Sequence, residues 1–136
     1  MSTLSRDDAV TRESELASVG SVCGRVLIIV ENLPVPFDGR VWSEASTLAR
    51  HGYEVSVICP KGPGATASFE MLEGIAVYRH WMPEEGRGVL GYAVEYSVAL
   101  FWEFVLSVRI LATRGFDVIH ACNPPDLIFL VGAFHK

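Results

Sequence analysis

The chain has 136 residues, half of them hydrophobic, and a formal net charge of −5 at neutral pH. That length accommodates one domain with a real core, and the acidic balance excludes a dedicated nucleic-acid binder, which would present a basic face. The three cysteines, Cys23, Cys59 and Cys122, are widely spaced and form no CxxC motif or Cys/His cluster. Neither a disulfide framework nor a metal site is therefore expected, and they read as small buried hydrophobes in a reducing cytoplasm.

Residues 1–22 place Arg6, Asp7, Asp8, Arg12, Glu13 and Glu15 among Ser, Thr and Ala, with almost no large apolar side chain. Such a segment buries too little surface to offset its ordering entropy, so a disordered polar tail is expected, or else a short solvated helix. The nearest apolar stretch, 26–30, is too short for a signal peptide and follows acidic residues. The domain is then residues 23–136.

The run 25–31 (RVLIIVE) is continuous and β-branched, as in a parallel strand buried on both faces. Pro34 and Pro36 forbid a ladder in the segment that follows. A helix is expected after Asp38 as N-cap, with Val41, Ala45, Leu48 and Ala49 on one face and Gly52 as its stop. Residues 53–59 (YEVSVIC) form the second strand, ended by Pro60-Lys61-Gly62-Pro63-Gly64. Residues 68–72 and 75–80 read as a hairpin around Glu73-Gly74. The stretch 89–108 is long enough to span a bilayer. However, Glu95, Glu103, Arg109 and Arg114 collect within about 140° of a helical wheel. The expectation is an amphipathic helix whose apolar face packs on the sheet. The alternative is a membrane-surface helix using Tyr92, Tyr96, Phe101, Trp102 and Phe104. Gly115 ends that helix, 117–121 (DVIHA) is the next core strand, and Asp126 caps a last helix over 127–134.

Strand–loop–helix units at this spacing predict an α/β fold, a Rossmann-like open, mainly parallel sheet of about four strands with flanking helices. Ligands of such sheets bind outside the carboxyl ends of the strands, which selects loops 31–40 and 123–126. The first loop offers a single glycine, Gly39, so a G-x-G-x-x-G dinucleotide site is excluded, as is a P-loop. A receiver domain needs acids that are lacking beyond Glu31.

Four segments in order, RVLIIVE, PFDGRVWSEASTLARHGYEVSVICP, FEMLEGIAVYR and FDVIHACNPPDLIFLVG, together resemble the amino-terminal domain of family 4 glycosyltransferases. The resemblance implies a retaining enzyme of the GT-B architecture, in which this half shapes the acceptor side of a cleft. A C-terminal donor-binding domain, missing from this chain, would carry most nucleotide-sugar contacts. The chain, ending at Lys136, then reads as one incomplete half of a GT-B fold without turnover of its own. The implied substrates are a nucleotide-sugar donor and a saccharide or lipid-linked acceptor, with no cofactor, metal or protein nucleophile, and location in the cytoplasm or peripherally at the inner face of the membrane. The alternative is a non-catalytic interaction module docking to a partner or a membrane surface.

Carried onto this sequence, the resemblance selects Asp38, Gly39 and Arg40 at a helix N-terminus suited to a phosphate or sugar hydroxyl, against the plainer reading of cap, turn and solvated side chain. Asn123 has donors and acceptors for sugar hydroxyls, and Asp126 is either a cleft residue or an N-cap. His120 is a substrate-binding candidate or a core histidine. The family's histidine commonly falls two positions later, where this chain has Cys122.

Overall fold

Residues 24–30 alternate their side chains between two apolar layers, and both layers find cover. A computed structural model describes residues 21–83, 87–122 and 129–136. The expectations for residues 1–20, and those for Asn123 and Asp126, lie outside the described residues. The elements are β1 (Gly24–Val30), α1 (Gly39–Arg50), β2 (Tyr53–Pro60), β3 (Phe69–Leu72), β4 (Ile75–His80), α2 (Gly88–Thr113), β5 (Val118–Cys122) and α3 (Phe129–Phe134).

They form one five-stranded sheet in the order β3-β4-β2-β1-β5. The pairs β1–β2, β1–β5 and β2–β4 are parallel, and β3 runs antiparallel to β4. The expected α/β, Rossmann-like architecture is therefore present, with five strands rather than four. The extra member is β3, held to the sheet by the hairpin at Glu73 (φ 49°) and Gly74 (φ 81°), a pair of positive φ values that suits a tight primed turn.

Val26, Ile28 and Val30 point to one face, where Val41 and Ala45 of α1 cover them together with Val55, Val57 and Val77. Leu27 and Ile29 point to the other, against Leu106 and Ile110 of α2 and Val131 of α3. This two-sided burial explains the uninterrupted apolar runs of β1 and β2. Gly52 adopts φ +85°, and its carbonyl accepts from the Cys23 amide at 3.0 Å, so the helix stop also tethers the entry to β1. Cys59 is buried, Cys122 is intermediate and Cys23 is exposed, which corrects the expectation of three buried thiols: Cys23 precedes the sheet and has no layer above it.

The largest correction concerns α2. Its buried residues are Ala99, Glu103, Leu106, Ser107 and Ile110, so the arc that carries Glu95 and Glu103 faces the sheet. The strongly apolar side faces outward: Val94, Phe101, Phe104, Val105, Val108 and Leu111 are all exposed. Periodicity could not select the inner face because apolar residues occur on every side of the helix. The decision falls to what lies beneath it: Leu106 and Ile110 seat on Leu27, Ile29 and Ile58, and Glu103 is carried inward on the same face, towards Glu31.

β5 is the sheet's edge, pairing with β1 alone among the described residues. Its register is anchored by Asp117, which accepts from the Arg25 amide (2.9 Å) and guanidinium (3.1 Å). The expected core strand is thus a largely exposed edge, with Val118 56% accessible.

Candidate functional site

The parallel register pairs Val30 with Cys122, so β1 and β5 end at the same rim. Helix α1 begins at that rim with Gly39. The geometric premise of a ligand cleft at the carboxyl ends of adjacent parallel strands is met for these two strands.

The loop from β1 to α1 is held from below. Val35 is fully buried, and its carbonyl accepts a hydrogen bond from the Arg79 guanidinium at 2.9 Å. Arg79 also binds Glu70 at 2.8 Å and donates to the Ala67 carbonyl. One buried cation on β4 therefore ties the loop to the β3 side of the sheet.

Asp38 is buried, and its Oδ1 accepts from the amides of Arg40 (3.2 Å) and Val41 (3.3 Å). Its carboxylate occupies donors that a ligand anion would otherwise use, so the cap reading holds for this residue. Gly39 is exposed and a side chain there would meet nothing within 4 Å, so it opens space rather than packing. The Arg40 side chain is 81% exposed, extending beyond the Asp38 carboxylate at 4.0 Å, and is free to reach an incoming anion.

His120 is not a core histidine. It is exposed on β5, and its Nε2 lies 3.5 Å from Glu44 Oε1 on α1. The reason is the edge position of β5: at His120 its face towards α1 meets the helix only at the polar Glu44 side chain and is otherwise open at the cleft. Arg40, Val41, Glu44, His120, Ala121 and Cys122 line an open cleft of about 260 Å³. The fold thus brings Arg40 and His120 to one cleft across a sequence gap, while Gly39 borders a neighbouring hollow with Trp42 and Arg50. Burial pushes the Cys122 thiol up to about 11, reinforced by the carboxylates of Glu44 and Asp38 and opposed by Arg40.

Two acids that the sequence reading named without assigning to the site, Glu31 and Glu103, approach each other between the end of β1 and α2. Glu103 is fully buried, with neither carboxylate oxygen bonded to a donor. Burial, then the charge of Glu31, pushes it up to about 9, and burial pushes Glu31 up to about 7. Both shifts favour the protonated form, because a desolvated carboxylate beside a second negative charge is disfavoured. Acids inside an apolar helical run, Glu95 and Glu103, were the available signal for such a partner.

Residues 39–135, spanning α1 to α3, match the family model of the glycosyl transferase 4-like domain. The chain belongs to that family. No curated protein and no solved structure matches it. In this glycosyl transferase 4-like chain, the matched region includes Gly39, Arg40, Glu44, His120 and Cys122, and so both walls of the cleft between α1 and β5.

Proposed function

We propose that this domain forms the acceptor side of a retaining, GT-B glycosyltransferase that moves a sugar from a nucleotide-sugar donor onto a saccharide or lipid-linked acceptor. The observation that carries this reading is the convergence of Arg40 and His120 on one open cleft at the shared rim of β1 and β5. Arg40 offers a mobile cation for a diphosphate, His120 a donor or acceptor for a sugar hydroxyl, and Gly39 a close backbone approach. Asn123 and Asp126 are proposed as further substrate contacts. Transfer of this kind rests on positioning and on stabilising the leaving diphosphate.

The cleft between α1 and β5 is open. A second α/β domain with the donor site would face it, and the domain alone binds ligands weakly and does not turn over. The test is a titration of isotopically labelled protein with nucleoside diphosphate sugars and oligosaccharides, read by amide shifts. Perturbations centred on Gly39, Arg40 and His120 support the reading; shifts confined to other surfaces, or robust transfer by this domain alone, overturn it.

A second reading concerns location and is favoured by α2. This is the one helix among the described residues long and apolar enough to cross a membrane, with 17% of its most apolar window buried. It does not span, because its inner face is committed to the domain through Glu103, Leu106 and Ile110. Its outer face, flanked by exposed Arg87 and Arg109, suits peripheral docking to the cytoplasmic leaflet, with the cleft presented to a lipid-linked acceptor. A non-catalytic docking module would use the same face.

A further inference from the structure

The side chains of Glu44, His120 and Cys122 come from two elements far apart in sequence. Residues 120 and 122 lie on the same side of β5, since strand side chains alternate. The register of β5 against β1 turns that side towards α1, where Glu44 stands one turn inside the helix. One carboxylate oxygen, one imidazole nitrogen and the thiol sulfur all lie within 4.8 Å of one another. His120 Nε2 and Glu44 Oε1 are already 3.5 Å apart.

We propose that Glu44, His120 and Cys122 form an open three-ligand site for a divalent transition ion of the zinc class.

The donor set is the argument. Thiolate, imidazole and carboxylate together match a borderline-soft ion such as Zn²⁺ and suit neither Mg²⁺ nor Ca²⁺, which take oxygen. Ligand bonds of about 2.0–2.3 Å place tetrahedral ligands about 3.3–3.7 Å apart. The separations here need side-chain rotation rather than backbone movement, and both Glu44 and His120 are exposed enough to rotate. Three protein ligands leave one coordination position for water or an anionic oxygen entering the cleft, where Arg40 also projects. Sequence reading found no Cys/His cluster because its members, 44, 120 and 122, are joined by folding and not by spacing. The site shares His120 and its cleft with the sugar-transfer reading, but it is tested by metal binding alone, so either can fail while the other stands.

The experiment is a Co²⁺ titration of the full chain, with Zn²⁺ as competitor. The expected result is a thiolate-to-cobalt charge-transfer band with visible bands of tetrahedral intensity, all removed by Zn²⁺. Cys122→Ser abolishes the charge-transfer band, and His120→Ala and Glu44→Gln each weaken binding by about tenfold or more. Cys23→Ser, which removes the exposed thiol elsewhere, leaves the spectrum unchanged. His120 and Glu44 are surface positions, so their variants carry the test even if Cys122→Ser fails to fold. Absence of a thiolate band at millimolar cobalt, its persistence in Cys122→Ser, or unchanged affinity in both His120→Ala and Glu44→Gln overturns the proposal.

Discussion

The Arg79 guanidinium donates to the Val35 carbonyl at 2.9 Å, across 44 positions of sequence, with its side chain 1% exposed. The loop that leads into α1, one wall of the candidate cleft, is therefore fastened to the opposite half of the sheet. Arg79→Met leaves that buried carbonyl without its donor and Glu70 without its partner. A loss of about 3 kcal/mol is expected in urea unfolding. Amide exchange at Asp38, whose N–H bonds to the Pro34 carbonyl at 3.1 Å, should rise at the same time. Unchanged exchange there would mean the loop is held by other contacts.

The Glu31–Glu103 pair makes stability fall on the alkaline side. Both groups titrate higher in the folded protein, to about 7 and about 9. The native state thus holds protons that the unfolded chain releases at its ordinary value of 4.5. Stability from this source is fullest below that value and is lost as pH rises through 7 towards 9. His80 acts in the opposite sense. Burial lowers its pKa, so the unfolded chain takes up a proton first as pH drops below 6.5, and acid destabilises the fold. Urea midpoints measured from pH 5 to 9 should show a maximum, and Glu103→Gln should flatten the alkaline limb while raising stability at the alkaline end. A wild-type alkaline limb surviving in Glu103→Gln would show that Glu103 is not the source of the alkaline loss.

The outward face of α2 should be dispensable for folding and required for lipid contact. Phe101→Asp and Val108→Asp are expected to change stability by within about 0.5 kcal/mol, as at ordinary surface positions. Both should abolish co-flotation with anionic vesicles. By contrast, Ile110 is fully buried, and Ile110→Ala should cost about 2–4 kcal/mol. Equal flotation of Phe101→Asp and wild type would remove the membrane reading.

Asp38 and Arg40 separate structure from binding within one helical turn. Asp38→Ala removes a buried cap and should destabilise by about 1–2 kcal/mol. Arg40→Ala should leave the urea midpoint in place and weaken binding of nucleoside diphosphate sugars several-fold by amide-shift titration. If Arg40→Ala binds as tightly as wild type, the cation has no part in the site.

Local patterns were enough for the elements and their connections. The apolar runs of β1 and β2, the Asp38 cap, the Gly52 stop and the Glu73-Gly74 turn each act through neighbouring residues, so the α/β layering was legible from the chain. The same is true of Arg40 as a cleft candidate, because a helix N-terminus following a buried parallel strand lies at the ligand rim in this architecture.

Other features had no local signature. α2 is apolar on most sides, and its inner face, which carries Glu103, is selected by the fit of Leu106 and Ile110 onto Leu27, Ile29 and Ile58 of the sheet. His120 reads as a core residue until β5 is placed at the edge of the sheet, where it meets Glu44 of α1 beside an open cleft. Glu44 acquires chemical meaning through its distance to His120, which is set by strand order and register. Short-range propensity and periodicity specify what each segment becomes. Burial of a charge and the meeting of distant side chains depend on which elements are neighbours, and that is settled by packing the whole sheet.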